Sequence, residues 1–184
     1  SSDLVMTLLV AQLQLSAQTV KEVIQWTFDA EKTGDNTYNI NATATIKQDW
    51  YLYSLDAGGD GTLVPVSMEF EKNPSLELVG KPFTKDEIIT KTIEELGFDI
   101  NIHYKKATFT QQVAVAGNTT IVGIVNYMTC SSITGLCLTP TTDTFRIELK
   151  DVVGTHTVTP NAGFLEYDDD GNVIMPNNTV ADTT

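Results

Sequence analysis

The chain is organised around residues 127–140, which read YMTCSSITGLCLTP and contain its only two cysteines, Cys130 and Cys137. Apolar residues alternate with others in 121–130 and again in 144–149. Two alternating runs joined by a short Ser/Thr/Gly loop predict two strands and a hairpin-like corner. A disulfide needs Cα atoms roughly 4.4–6.8 Å apart. We expect the two cysteines to meet that requirement, since one lies at each end of the loop.

The same period of two recurs along most of the chain. Turn clusters rich in Gly, Asn and Asp separate the runs, which alternate in Ile24–Phe28, Tyr38–Ile46, Val64–Phe70, Phe98–Tyr104 and Ala107–Val115. Roughly eight short strands at regular intervals predict an all-β fold, an immunoglobulin-like β-sandwich with little helix. Residues 84–96 form the one helix-like stretch, with acidic residues early and a glycine after it. An extended conformation is the alternative there, because Ile and Thr favour strands.

Composition excludes several classes of function. The chain has 184 residues and a net charge of −13, with no run of Lys or Arg. Nucleic-acid binding and attachment to an anionic membrane surface both require clustered basic residues, so neither is expected. Hydrophobic residues make up 41% of the chain and mean hydropathy is −0.06, as in a soluble globular domain.

The sequence divides into three parts. Residues 1–20 contain a Leu/Val-rich run that is similar to the core of a secretory signal peptide. The alternative is an N-terminal helix, through which the chain would self-associate. Residues 21–150 form the predicted sandwich domain. Residues 151–184 form an acidic tail without Lys or Arg, in which 164–167 and 173–175 flank an Asp/Gly/Asn turn and predict a small hairpin.

Two interpretations of the cysteine pair remain open on the residues alone. In the first, the cysteines form an inert structural disulfide that links the two ends of the loop. In the second, the pair cycles between oxidised and reduced forms. An oxidising compartment is required for a lasting bridge. A structural zinc site needs four ligands, and neither His103 nor His156 has ligand spacing to the cysteines. No metal and no cofactor are therefore predicted.

Several motifs between Val23 and Leu149 resemble the N-terminal periplasmic domain of the thiol:disulfide interchange protein DsbD and the related disulfide bond corrector domains. The matching segments are VIQWTF at 23–28, QDWYLYS at 48–54, and Tyr-x-x-Cys at 127–130 followed by CLTP at 137–140. The family usually has four or five residues between the cysteines and then Cys-x-Pro-Pro. Here six residues intervene, and Thr139 replaces the first proline.

The resemblance implies an immunoglobulin-like domain that passes electrons by thiol–disulfide exchange. Cys130 and Cys137 would be the redox pair. A cap loop at about 94–99 would shield them, with Phe98 as the shielding residue and Leu96 as the second candidate. Three tyrosines would wall the site or pack in the core: Tyr51, Tyr53 and Tyr127.

The resemblance also implies partners and a location. The partners would be a thioredoxin-like protein domain and client proteins that carry disulfides, and the location would be the bacterial periplasm or outside the cell. An active domain would be a protein-disulfide reductase of the thiol–disulfide interchange type. The alternative is a secreted, non-catalytic β-sandwich that binds a protein or glycan and carries a structural disulfide.

Overall fold

Antiparallel pairing of extended segments accounts for nearly all regular structure in this computed structural model, which describes residues 19–95, 97–162, 166–167 and 173–174. The prediction of an all-β domain with little helix is confirmed. The elements in chain order are α1 (Val20–Val23), β1 (Ile24–Lys32), β2 (Thr37–Ile46), β3 (Trp50–Gly58), β4 (Ser67–Phe70), β5 (Leu76–Thr84), β6 (Ile89–Ile93), β7 (Phe98–His103), β8 (Lys106–Val115), β9 (Thr119–Tyr127), β10 (Thr129–Ser131), β11 (Thr141–Leu149), β12 (Glu166–Tyr167) and β13 (Val173–Ile174).

The strands β1 to β11 form three sheets that make up two layers. The first sheet has the order β1-β2-β8-β5, the second β10-β3-β7-β6, and the third β11-β9-β4. The chain runs from β9 directly into β10 and so joins the third sheet to the second. Because both contribute side chains that pack on the first sheet, the second and third sheets together form the opposing layer of a β-sandwich.

A single large core lies between these layers. Alternate residues of most strands in the two layers point into it, which is what the period of two in the sequence predicts. The first sheet supplies Ile40, Phe109 and Val113, and the opposing layer supplies Leu52 and Val125, all of them fully buried. Burial of a side chain of this size contributes about 1.5–3 kcal/mol, so this core provides most of the driving force for folding.

Gly123 lets two strands and an aromatic ring approach closely in the third sheet. It pairs with Phe70 on one side and with Phe145 on the other. A Cβ atom at this position would lie 2.5 Å from the carbonyl oxygen of Glu69 and would overlap the ring of Phe145. The two phenylalanine rings consequently meet edge to face, with centroids 5.7 Å apart, over a backbone that carries no side chain.

The helix-like interpretation of residues 84–96 is wrong, and the extended alternative is confirmed for Ile89–Ile93. Thr84 ends β5, and Ile89–Ile93 forms β6, which pairs with β7. The hydroxyl of Thr90 donates to Asn101 Oδ1 at 2.9 Å, and the hydroxyl of Thr92 donates to Asp99 Oδ1 at 2.6 Å. The β-branched residues of this stretch therefore pair with a neighbouring strand, and this pairing outweighs the helix-like placement of acidic residues and glycine.

Part of the predicted tail lies against the sandwich. The backbone N–H of Thr159 donates to Glu77 Oε2 at 2.8 Å. Asn161 accepts from the N–H of Leu78 at 2.6 Å and donates to its carbonyl at 2.9 Å. The two Asn161 contacts satisfy backbone groups on β5, an edge strand of the first sheet, where unpaired groups would otherwise face water. Further along the tail, β12 and β13 pair with each other antiparallel.

The signal-peptide or helix prediction for the N-terminus falls mostly on residues 1–18, which lie outside the described residues. Self-association through this segment stays a prediction for the same reason. Within the part of the chain that the structure describes, no helix has the length and apolar character needed to cross a bilayer.

Candidate functional site

The two cysteines form the disulfide that the sequence predicts. Their Sγ atoms are 2.09 Å apart, and their Cα atoms, 3.9 Å apart, are closer than the expected range of roughly 4.4–6.8 Å. The N–H of Ser131 donates to the carbonyl of Leu136 at 2.8 Å, and the N–H of Leu138 donates to that of Thr129 at 2.9 Å. Cys130 and Cys137 therefore occupy the non-hydrogen-bonded position of a short antiparallel hairpin, where opposed side chains are closest.

The six-residue loop between the cysteines is held by its own polar groups. The Ser131 hydroxyl oxygen accepts from the N–H groups of Ile133 and Thr134 at 3.3 and 3.2 Å. The Ser131 carbonyl accepts from the N–H of Gly135 at 2.9 Å, and Gly135 has a φ of 71°, which glycine adopts without strain. The N–H of Ser132 donates to the carbonyl of Asp49 at 2.8 Å and so fixes the loop to the chain that leads into β3.

Beneath this hairpin, β3 has side chains buried on both of its faces. Trp50 and Leu52 point into the large core, whereas Tyr51 and Tyr53 belong to a second, smaller core that also contains Cys130. Tyr51 lies directly opposite Cys130 in the pairing of β3 with β10, and its ring is 5.6 Å from that of Tyr53. A strand that is buried on both faces explains the unbroken apolar run in the sequence.

The two sulfur-bearing residues differ sharply in accessibility. Cys130 is 0% exposed, whereas Cys137 is exposed at the surface. The hydroxyl of Tyr53 lies 3.5 Å from Cys130 Sγ. Because a disulfide sulfur carries no proton, the hydroxyl is the only possible donor of that pair, and the sulfur is a weak acceptor. An approaching nucleophile can therefore reach Cys137 but not Cys130.

An open cavity of about 450 Å³ adjoins the exposed cysteine. Its wall includes Tyr51, Tyr53, Phe98 and Cys137, so the structure brings four of the predicted site residues together. Burial is the main factor that raises the pKa of both tyrosines, and Tyr53 and Tyr104 add to it at Tyr51. Burial thus opposes ionisation of both hydroxyls, which keep their protons as hydrogen-bond donors.

The predicted cap loop is the tip of a hairpin formed by β6 and β7. Ile93 and Phe98 are the last paired residues, and the N–H of Gly97 donates to the carbonyl of Ile93 at 2.8 Å. Phe98 is half-buried against the smaller core and lies in the wall of the cavity beside the disulfide hairpin. Leu96, the second candidate for the shielding residue, lies outside the described residues.

Tyr127 does not line this cavity. It is fully buried in the large core, and its ring centroid is 5.2 Å from that of Trp26. Its hydroxyl donates to Asp143 Oδ2 at 2.6 Å. The sequence already indicates that Tyr127 lies away from the cavity, since the alternation puts Tyr127 on one face of the strand and Cys130 on the other.

Two charged residues also line this cavity, and only the second of them lies within the predicted cap loop at about 94–99. Lys91 and Glu95 both line the wall, although each is far from Cys137 along the chain. Lys91 lies opposite Ile100, a residue of the smaller core, and therefore projects from the site face of β6. An ammonium group here favours a thiolate, and the nearby carboxylate opposes it. Among the described residues, no group of three His, Cys, Asp or Glu side chains is placed to hold a metal ion.

A β-sandwich with one disulfide at its surface, one sulfur open to attack and the other buried against tyrosines, has the features of a thiol–disulfide exchange domain. The chain belongs to the family of the N-terminal domain of thiol:disulfide interchange protein DsbD, whose family model matches residues 16–149. The resemblance identified from the motifs is thereby confirmed.

Two solved structures are similar to this chain. One is the N-terminal domain of DsbD from Neisseria meningitidis in its reduced form, with a TM-score of 0.50 and 16% identity over 79% of this chain and 96% of that one. The other is the N-terminal periplasmic domain of ScsB from Proteus mirabilis, with a TM-score of 0.51 and 15% identity over 69% of this chain and 47% of that one. The present chain thus spans about half of the ScsB domain.

At this level of identity the likenesses establish the fold, and they confirm the immunoglobulin-like sandwich. A search of curated proteins finds no sequence that matches this chain.

Proposed function

We propose that this chain is a periplasmic protein-disulfide reductase domain, which relays electrons from a thioredoxin-like reductant to oxidised client proteins through Cys130 and Cys137. Membership of the DsbD N-terminal family supports the class of reaction. The observation that carries the proposal is the difference in exposure between the two cysteines. A purely structural disulfide does not need one solvent-accessible sulfur beside a cavity.

The first half-reaction reduces the pair. A thiolate of the reductant attacks Cys137 Sγ, which forms a mixed disulfide and expels Cys130 as a thiolate that then takes up a proton. The second thiol of the reductant attacks its own sulfur in the mixed disulfide and releases Cys137. The reductant leaves as a disulfide, and two electrons now reside on the cysteine pair.

The second half-reaction passes these electrons on. The Cys137 thiolate attacks a client disulfide and forms a new mixed disulfide, which Cys130 resolves by attacking Cys137 Sγ. The client leaves as a dithiol and the Cys130–Cys137 bond is restored. Both half-reactions need a stabilised charge on the buried Cys130 sulfur. The Tyr53 hydroxyl, 3.5 Å away, is neutral at physiological pH as tyrosines ordinarily are, and it is placed to donate to that thiolate.

Phe98 acts in this proposal as the cap residue. Its position in the cavity wall limits access to the disulfide from the side of the β6–β7 hairpin. Docking of the partner displaces the hairpin tip, and Tyr51 and Tyr53 keep the remaining wall of the site in place.

Trapping of the mixed disulfide tests the proposal. In the variant Cys130→Ser the remaining Cys137 is first converted to its mixed disulfide with thionitrobenzoate, and we expect the attacking cysteine of a thioredoxin whose resolving cysteine is replaced to displace thionitrobenzoate and form a stable covalent complex. The matched variant Cys137→Ser keeps only the buried thiol and should give little complex. Equal trapping by both variants, or none by either, contradicts the proposal. A reduction potential below about −300 mV favours the structural-disulfide alternative.

A further inference from the structure

We propose that the apolar tip of the disulfide hairpin, formed by Ile133 and Leu136, is a docking element that binds the apolar surface around the reactive cysteine of the partner protein. This inference rests on the proposed function, since it names what holds the partner during exchange. The side chains of Ile133 and Leu136 are 74% and 63% exposed. Among the large apolar side chains in the described parts of the chain, only Val153, at 69%, is comparable.

Single exposed apolar residues are normal on protein surfaces, but here two of them share one six-residue loop. That loop is bridged at its ends by the reactive disulfide. Leu136 directly precedes the exposed Cys137. A partner whose sulfur bonds to Cys137 Sγ, at about 2 Å, has to place its own surface against these neighbouring side chains. Docking and chemistry therefore take place on one continuous surface.

The backbone of the loop presents the two side chains in a fixed arrangement. Hydrogen bonds to both Ser131 oxygens hold the turn, and the bond from Ser132 to Asp49 attaches it to the domain. A loop whose conformation is already set loses less entropy when a partner binds. The apolar side chains consequently stay outside the smaller core in the absence of a partner.

The absence of charged side chains at the hairpin tip is consistent with an apolar partner surface. The chain has a net charge of −13, yet residues 131–136 contain no charged side chain. An uncharged apolar contact avoids the repulsion that a highly acidic surface exerts on an acidic partner. The short-range contacts of the tip itself should depend little on ionic strength, unlike surface ion pairs.

The test compares a protein reductant with a small one. The oxidised chain carrying both I133S and L136S is reduced by thioredoxin and, separately, by dithiothreitol, and the second-order rate constants are measured. We expect the rate with thioredoxin to fall about ten-fold, the size of effect that loss of apolar contact residues produces at interfaces. The rate with dithiothreitol should stay within about two-fold, because a small dithiol makes no contact with the tip.

Two further variants serve as controls. V153S removes an equally exposed apolar side chain that lies outside the hairpin, and both of its rates should match those of the original chain. L136M keeps the tip apolar and should retain most of the thioredoxin rate. Urea unfolding of each variant verifies that the domain is folded.

The outcomes separate the inference from the function on which it rests. If the original chain reacts with thioredoxin and the double variant reacts equally fast, the docking inference is overturned and the proposed function stands. If the double variant loses reduction rate equally with dithiothreitol, the tip affects the reactivity of the disulfide itself, and this also overturns the inference. If thioredoxin fails to reduce the original chain although dithiothreitol succeeds, the proposed function is contradicted. A lower mass for the double variant in light scattering would mean that a second copy of the chain occupies the tip.

Discussion

Reduction of the Cys130–Cys137 disulfide is expected to lower the free energy of unfolding by about 2.5 kcal/mol and to leave the sandwich folded. The magnitude follows from the size of the loop. A sequence separation of 7 encloses a loop of eight residues. Closing such a loop lowers the entropy of the unfolded chain by roughly 8 cal/mol/K, which corresponds to about 2.5 kcal/mol at 25 °C. A domain stability of roughly 5–15 kcal/mol is large enough to absorb this loss.

The structure supports survival of the fold in the reduced form. Backbone hydrogen bonds from Ser131 and Leu138 close the hairpin independently of the sulfur atoms, and the bond from Ser132 to Asp49 holds it to the domain. Cys130 belongs to the smaller core, so its reduced thiol is buried as a small apolar group, an environment that free cysteines commonly occupy. The large core contains neither cysteine.

A thermodynamic cycle connects this loss of stability to the reduction potential. The disulfide must be harder to reduce in the folded chain than in the unfolded chain by the same free energy. For a two-electron couple, 2.5 kcal/mol corresponds to about 50 mV. The folded potential should accordingly lie about 50 mV below that of the chain in denaturant.

Urea unfolding of the oxidised and reduced protein, followed by tryptophan fluorescence, measures the loss in the free energy of unfolding. Equilibration with glutathione in the presence and absence of denaturant measures the difference between the two reduction potentials. The variant with both cysteines replaced by Ala should unfold like the reduced protein. A loss above about 5 kcal/mol, or a reduced form that does not fold, would refute the reasoning and indicate a structural staple.

Three further predictions concern single residues. The variant Phe98→Ala should speed reduction by dithiothreitol about five-fold, because it removes a half-buried ring from the cavity wall; an unchanged rate would contradict the cap role. Burial lowers the pKa of His103 below its unfolded value of about 6.5, so the free energy of unfolding should decrease as pH falls below about 6.5, until the folded-state pKa is reached. Urea titrations from pH 8 to pH 5 should show less of this decrease in His103→Gln, and identical pH profiles would exclude the histidine as its source. The variant Gly123→Ala should lose about 2–3 kcal/mol in thermal or urea unfolding, because the new methyl group meets a backbone carbonyl at 2.5 Å; a neutral effect would show that β4 can move away.

The fold was predictable where one face of a strand is buried and the other faces water. In β2, inward Ile40, Ala42 and Ala44 alternate with outward polar residues, and the pairing matches that pattern. The disulfide hairpin was predictable for a similar reason, since alternation on both sides of a short loop leaves few other arrangements. Residues 84–96 were predicted poorly, because the partner strand that makes them extended cannot be identified from local propensity.

The composition of the site was only partly predictable from the sequence. Tyr51 and Tyr53 were expected at the wall, but the sequence left open whether they pack in a core, and the structure shows that they belong to both the smaller core and the cavity wall. Tyr127 was assigned to the wall with them by resemblance, although the alternation along the strand places it on the face opposite Cys130. Lys91 was missed because β6 reaches the site only through its pairing with β7, whereas Glu95 lies in the predicted cap loop but was not named as a site residue.

The presence of two cores in one sandwich separates the disulfide site from most of the packing that stabilises the fold. Leu52 and Tyr53 are neighbours in β3, yet the first packs in the large core and the second in the smaller one beside Cys130. β6 lies at the edge of its sheet, pairs only with β7 and is mostly exposed. Displacement of the hairpin that bears Phe98 therefore breaks contacts of the smaller core while the large core stays packed. Since the free energy of folding comes mainly from the large core, the proposed movement of the cap costs far less than unfolding of the domain.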